Sequence, residues 1–313
     1  MNITYQEFSI DRLEEILRLW NQELVYDRIS KERFFEQILY DENFNSQLFK
    51  LAIADNQVVG FVYGIKRQVP YLTRGLEPTR GWILQVAVAQ SWKRQGIAKA
   101  LVSQVEEDLQ TAGATEITLC AFSPNYFAPG IDLRYTEGLA FFKALGYLDK
   151  GDAVSMGAVL TNHEVDVESI LAEKRKQGIR IMPYEDRYYA KILEFAEAEF
   201  GGGWHRNLLL AMQAGEASET IFLAVDEDDQ VIGFTMRKID GNDTRFGPIG
   251  VSSKIRSKGL GSALLEVMLD DLIKRGIYYT FFLWTHGKTI DFYRKHGFEI
   301  YRTYELSRKE LKK

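Results

Sequence analysis

The stretch FGPIGVSSKIRSKGLGSALL, residues 246–265, decides the reading of this chain. An apolar run from Phe246 to Val251 gives way to a polar turn containing Gly259 and Gly261. Beyond it Leu264, Leu265, Met268, Leu269 and Leu272 recur at helical spacing, so the stretch reads as strand, turn and long amphipathic helix. Such a junction suits an anion. A helix N-terminus presents unpaired backbone N–H groups and the positive end of its dipole, and small residues let a phosphate approach them. Gly259 and Gly261 give that access, and Arg256 and Lys258 add positive charge. Taken alone, the turn is equally a tight strand-to-helix connection. It lacks the Gly-Lys-Ser/Thr of a P-loop. It also lacks the third glycine of a dinucleotide fingerprint, where Leu264 stands.

The same pattern occurs earlier, as WILQVAVAQSWKRQGIAKALV over residues 82–102, with Gly96 and Ala98 in the turn and Lys93 and Arg94 beside it. Two further segments repeat around it. LAIADNQVVGFVYG (51–64) matches FLAVDEDDQVIGFTMRK (222–238), each reading as a β-hairpin. AFFKALGY (140–147) matches DFYRKHGF (291–298). The spacing between equivalent glycines falls from 173 (Gly60, Gly233) to 163 (Gly96, Gly259) to 151 (Gly146, Gly297), so the first half has the longer connections. This is duplication of a domain, not a solenoid of short repeats. The expected organisation is a domain over 1–160, a charged linker helix over 161–178 whose EKRKQ run around Lys174 faces solvent, and a second domain over 179–313. Each domain is expected to open with a strand (2–5; 179–182) and a helix, the first marked by Leu13, Ile16, Leu17 and Trp20, and the second to close with a strand near 299–305.

Composition limits the partners. The net charge of −5 argues against nucleic acid, which selects a basic stripe. The start MNITYQEF shows no signal peptide, no apolar run is long enough for a bilayer, and the lone Cys120 fits a reducing compartment, so a cytoplasmic location without membrane partners is expected. The four histidines show no metal-ligand spacing, and no metal is expected. Cys120, in ITLCAF, reads as a small hydrophobe in a buried strand.

Residues Arg256–Gly261, R-S-K-G-L-G, fit in full the [Q/R]-x-x-G-x-[G/A] pattern of the GNAT superfamily of N-acetyltransferases, and the chain resembles two such domains in tandem. Residues Lys93–Ala98 fit except at Lys93, where the family has Gln or Arg. The plan is similar to that of mycothiol synthase, whose substrate is not thereby implied. The resemblance implies an α/β (mixed α+β) fold: in each domain, a mixed, mainly antiparallel sheet with a splayed parallel strand pair and flanking helices. It implies acetyl-CoA as co-substrate and a primary amine of a small molecule or peptide as acceptor. In the second half, Ile249, Gly250 and Val251 would pair with pantetheine, and Arg256, Ser257, Lys258, Gly259, Leu260, Gly261 and Ser262 would hold pyrophosphate. The first-half counterparts are Val86, Ala87 and Val88, then Arg94, Gln95, Gly96, Ile97, Ala98 and Lys99.

The family's general acid is a tyrosine that protonates the departing thiolate. Tyr293 holds that position in the second half, whereas Phe142 holds it in the first and has no proton to give. One active site is therefore expected, in the second half. In the first half, Tyr126 and Tyr135 lie in SPNYFAPGIDLRYTEG, which offers either a hydroxyl from a loop or a plain surface loop. On the acceptor side, Trp204 and His205 follow three glycines in what reads as a flexible, exposed setting. Trp204 is a substrate contact or a packing anchor, and His205 a general base or a solvent-facing residue. Two alternatives to amine acetylation stand beside it: an acyl-CoA-binding module without activity, and a transferase for a longer acyl group. The sequence does not give the oligomeric state.

Overall fold

The computed structural model describes residues 2–255 and 259–311. In chain order the elements are β1 (Thr4–Glu7), α1 (Leu13–Glu23), α2 (Lys31–Phe34), β2 (Phe49–Ala54), β3 (Gln57–Ile65), β4 (Arg80–Val88), α3 (Ile97–Thr111), β5 (Glu116–Leu119), β6 (Ile131–Asp132), α4 (Thr136–Ala144) and β7 (Leu148–Val159). They continue with α5 (Val167–Lys176), β8 (Arg180–Pro183), α6 (Tyr189–Phe200), α7 (Gly202–Gln213), α8 (Ala217–Thr220), β9 (Ile221–Val225) and β10 (Val231–Arg237). The last are β11 (Phe246–Val251), α9 (Leu260–Lys274), β12 (Tyr279–Thr285), α10 (Thr289–Arg294) and β13 (Glu299–Glu310). Among the described residues no helix is long and apolar enough to cross a membrane.

The chain divides into two compact units, Met1–Ala153 with Arg302–Lys313, and Val154–Tyr301. The first has a sheet in the order β1-β2-β3-β4-β5-β13, with β6 also on β13. All its pairs are antiparallel except β4 with β5. The β2–β3 hairpin turns on Asp55 and Asn56, both at positive φ, as a two-residue hairpin whose twist matches its strands requires. One face of the sheet packs on Leu13, Ile16, Leu17 and Trp20 of α1, and the other on Ile97, Leu101, Val102, Val105 and Leu109 of α3. These are the residues whose 3.6 period marked the helices.

The second unit has an antiparallel sheet β8-β9-β10-β11. An isolated parallel bridge, Arg245 to Phe281, starts β12 beside β11, and residues Val154–Val159 of β7 pair antiparallel with β12. The apolar stripe of α9 is buried, with Leu264, Leu265, Met268, Leu269 and Leu272 fully covered.

This division departs from the boundaries 1–160, 161–178 and 179–313. The end of β13 lies with the first unit because Arg308, Lys309 and Glu310 pair with Thr118, Ile117 and Glu116 of β5. The second half of β7 lies with the second unit through β12. Each unit thus takes a sheet strand from the far side of the duplication, which hydrophobic pattern alone does not reveal. The expected linker is also different. Residues 167–176 form α5 within the second unit, packed through Val167, Ile170 and Leu171 on α9, and Lys174 is only 6% exposed.

Candidate functional site

In both units the fourth and fifth strands begin paired and then part. In the first, β4 pairs with β5 from Arg80 to Ile83 and runs on to Val88, while the chain beyond β5 turns away at Cys120 and Ala121, both at positive φ. In the second, Phe281 N donates to Thr244 O at the bridge, and among the described residues β11 then continues without a partner strand on that side. Ser252 N donates across to Ile232 O of the β10 strand. In an antiparallel ladder alternate residues face opposite edges, so the N–H groups of Ile249 and Val251 face the opening. Ala89 N donates to Val59 O, which turns Val86 and Val88 to the opening in the first unit. Gly250 and Ala87 face the neighbouring strand instead, through their backbone.

Each opening leads to a helix N-terminus. Gly259 and Gly96 are the N-caps of α9 and α3, both left-handed, with φ of 70° and 83°. Arg256, Ser257 and Lys258 lie outside the described residues. Leu260, Gly261 and Ser262 form the first turn of α9, and Ile97, Ala98 and Lys99 that of α3, with Arg94 and Gln95 just before it. The buried Lys174 stands at the α9 turn: a Cβ on Gly259 would lie 3.5 Å from its Nζ. At Gly96 a Cβ would meet nothing within 4 Å. Lys174 Nζ also donates to Gln177 Oε1 at 3.2 Å, and in the first unit Lys93 Nζ lies 3.1 Å from Glu23 and 3.6 Å from Glu137.

Two glutamates that sequence reasoning missed support the turns leading to these helices. Glu23, ending α1, accepts a hydrogen bond from Gln90 N at 2.9 Å. Glu199, near the end of α6, accepts from Ser253 N at 3.0 Å and from the Ser252 hydroxyl at 2.9 Å. An acid in the last turn of the first helix of both halves was the signal available.

Tyr293 lies on α10 against Phe282, at 4.4 Å between ring centroids, with Phe292, Phe298 and Phe246 around it. Burial among these rings pushes its phenol well above the usual range, so it keeps its proton. Its neighbour Phe292 reaches to 3.7 Å from a Cβ placed on Gly261, which brings α10 against the first turn of α9. In the first unit Phe142 is buried between Phe141 and Tyr147.

The three-glycine segment is not a flexible loop. Gly201 breaks the chain between helices at φ 83°, and Gly202 and Gly203 begin α7. Trp204 stacks on Phe200 at 4.2 Å and edges onto Phe234. Both rings cover Gly250, where a Cβ would lie 2.5 Å from Phe200 Cζ and 2.7 Å from Trp204. Gly250 is thus required by close approach of the aromatic pair to β11. His205 is half-buried, its Nδ1 covered and 3.3 Å from Glu197 without a hydrogen bond.

The SPNYFAPGIDLRYTEG segment is likewise more than a surface loop. It supplies β6, and Tyr135 Oη accepts a hydrogen bond from Tyr26 N at 2.9 Å. Asp132 there is 2% exposed and accepts from Arg134 and Arg302. Cys120 sits past the end of β5, and burial pushes its thiol up to about 12, leaving no thiolate for nucleophilic chemistry.

One cluster in the second unit escaped sequence reading because its members are far apart in the chain. Glu266 of α9 accepts from His163 Nε2 at 2.7 Å and from His296 Nδ1 at 2.5 Å. His296 Nε2 lies 3.1 Å from the Ser262 hydroxyl. Burial alone would raise the Glu266 pKa, but the hydrogen bonds from His296 and His163 outweigh it and hold the carboxyl below its usual range.

Two family models match the chain: the acetyltransferase (GNAT) family over residues 10–147 and an acetyltransferase (GNAT) domain over 217–300. No curated protein matches its sequence significantly. Among solved structures, a GCN5-related glucosamine N-acetyltransferase region of a fungal multi-domain GH3 beta-N-acetylglucosaminidase is similar over 98% of this chain, at TM-score 0.79 and 19% identity. The chain spans 38% of that longer protein. A GCN5-related N-acetyltransferase from Sphaerobacter thermophilus is similar over 98% of this chain and 95% of its own, at TM-score 0.74 and 18% identity. A tandem GNAT protein from the clavulanic acid biosynthesis pathway matches over 99% and 98%, at TM-score 0.65 and 15% identity. At these identities the likeness is one of fold. With a parting strand pair and a glycine-capped helix in each unit, and a family match in each half, the chain belongs to the GNAT family of acetyltransferases, as two such domains in tandem.

Proposed function

We propose that the protein is an acetyl-CoA-dependent N-acetyltransferase with one active site, in the second unit, acting on a primary amine of a small molecule or peptide. The observation that carries this reading is the contrast at one position: Tyr293, kept neutral among Phe246, Phe282, Phe292 and Phe298, stands where the repeat has Phe142. The residues fit the co-substrate. The open edge of Ile249 and Val251 suits an extended amide-bearing arm. The α9 N-terminus and the Lys174 ammonium suit a pyrophosphate. Acetyl-CoA supplies the thioester.

The protein's own part follows from these groups. A backbone N–H of β11 polarises the thioester carbonyl as negative charge develops on its oxygen. Tyr293 gives its proton to the departing sulfur, and the surrounding rings keep that transfer dry. The Phe200–Trp204 pair walls β11 on the acceptor side, and His205, whose Nδ1 lies 3.3 Å from Glu197, is our candidate to take the amine's proton. The first unit keeps the fold without the acid, and in this reading it has no turnover.

The test is release of CoA from acetyl-CoA across a panel of polyamines, aminoglycosides, amino acids and short peptides, with wild type beside Tyr293→Phe. Turnover with one amine class, lost in the variant while acetyl-CoA still binds, supports the reading. Equal turnover in both moves the acid elsewhere. Binding without transfer to any amine favours a binding module, and faster transfer from longer acyl-CoA esters favours a different donor.

A further inference from the structure

The Ser262–His296–Glu266–His163 chain lies at the junction of the two helices that the proposed reaction uses. Ser262 is the third residue of α9, one turn from the Gly259 cap. His296 closes α10, its N–H donating to Tyr293 O at 3.0 Å. The repeat has none of it: at the equivalent positions stand Lys99, Ser103 and Leu145.

The hydrogen-bond directions follow from the inventory of each group. Glu266 is ionised and accepts only, so both histidines donate to it, and His296 carries its proton on Nδ1. Its Nε2 then has two states. Neutral, Nε2 is a lone pair and the Ser262 hydroxyl donates to it, turning its proton inward. Protonated, Nε2–H donates to Ser262 Oγ, and the hydroxyl proton is released toward the helix N-terminus. Only the second state lets Ser262 donate to a phosphate oxygen there.

We infer that His296, oriented by Glu266, is a positioning residue that controls whether Ser262 donates to the pyrophosphate of the CoA ester, so that the second unit binds this ligand more tightly when His296 carries both protons. The inference rests on the coenzyme reading above and deepens it. Charged groups of both signs surround His296. Glu266 of α9 holds its Nδ1 side, and an arriving pyrophosphate would add negative charge near its Nε2 side. His163, from the β7–α5 connection, shares Glu266. Arg294 and Lys295 precede His296 on its own helix, with Arg294 engaged by Asp291 at 3.4 Å, and Lys174 of α5 stands by Gly259. Linkage makes the coupling reciprocal: bound ligand must raise the proton affinity of His296 by the factor by which protonation tightens binding.

The probe is dephospho-CoA, whose pyrophosphate diester does not titrate near neutrality. Its dissociation constant is measured by calorimetry on the full chain between pH 5.5 and 8.5, while NMR follows the four histidines with and without ligand. The expected result is affinity falling by about tenfold as pH rises through the histidine range, the order of one hydrogen bond. The His296 titration should move upward on binding by a matching amount, and His296→Gln and Ser262→Ala should flatten the profile while still binding. A wild-type profile that is flat, or equally steep in His296→Gln, overturns the inference and leaves the coenzyme reading standing. An unmoved His296 titration in the bound wild type does the same without relying on any variant. No binding at any pH overturns the coenzyme reading, and this inference with it.

Discussion

The two units share a chassis and differ in chemistry. Both part a parallel strand pair, cap the following helix with a left-handed glycine, and brace the intervening turn with a glutamate, from α1 in one and α6 in the other. They diverge at the side chains near the glycine-capped helices and on the helix that follows the fifth strand. The first has Phe142, and its Lys93 is tied to Glu23 and Glu137; the second has Tyr293, Lys174 and the histidine chain. The lesson is that packing positions and glycines are set by the fold, so both copies keep them. The groups that move protons or meet phosphate are free to differ, so comparing the copies isolates them.

The sharpest way to break this comparison is to exchange the acid. Tyr293→Phe should lower kcat by about 10³-fold, within the range of a lost general acid, with little change in the KM for acetyl-CoA. The effect should shrink at low pH, where solvent protonates the thiolate more readily. Phe142→Tyr should leave steady-state rates unchanged, because one hydroxyl does not supply the rest of the site. A gain of activity there would show that the first unit is a complete site short of a proton.

A second effect separates the units in stability. Arg302 donates to Asp132 at 2.6 Å and to Asp27 at 2.9 Å, all three nearly buried in the first unit. Arg302→Met should destabilise that unit by about 3 kcal/mol, because it leaves Asp27 without its guanidinium and the buried Asp132 with Arg134 alone. Denaturant titration read by the fluorescence of Trp20 and Trp82 would measure it. Acid should act at the same place. Burial would raise the Asp132 pKa, but hydrogen bonds from Arg134 and Arg302 hold it down to about 2, against 3.8 unperturbed. Its contribution, about 2 kcal/mol, is present above pH 3.8 and lost as pH falls toward 2. Arg302→Met should move that loss to higher pH.

The fold was legible because its signals are local. The 3.6 period of α1 and α9, the hairpins and the two glycine turns each lie within about twenty residues and repeat. The tyrosine contrast was legible for the same reason. What could not be read joins distant segments: β13 on β5, the second half of β7 on β12, and Glu266 between His163 and His296. Composition misled in two places. Three glycines suggested a mobile loop, yet two of them begin α7 and Gly250 receives Trp204. The charged run around Lys174 suggested a solvated face, and Glu173, Arg175, Lys176 and Gln177 do meet solvent, but Lys174 itself is buried.

Lys174 gives the third prediction. Lys174→Met keeps the aliphatic stem and removes the charge. Coenzyme affinity at the second unit should fall by about tenfold, and the salt dependence of binding should weaken with it. The first unit has no counterpart, so Lys93→Met should produce no comparable loss: that ammonium already faces two carboxylates. Equal losses in the two variants would mean that both turns hold phosphate alike.

The smallest effect is the most direct check on the shared chassis. Gly96→Ala and Gly259→Ala each place a Cβ on a residue at φ 83° and 70° respectively, at about 1–2 kcal/mol for an L-residue in the left-handed region. Neither adds a clash, since the new carbon meets nothing within 4 Å at Gly96 and only Lys174 Nζ at 3.5 Å at Gly259. The stability losses should therefore match, because backbone conformation alone sets them. Binding should not match. A methyl at Gly259 intrudes where phosphate approaches the α9 N-terminus and should weaken acetyl-CoA affinity and turnover, while the same methyl at Gly96 should leave turnover as it was. Matched losses of turnover would instead place a working coenzyme site in both units and end the division of labour between them.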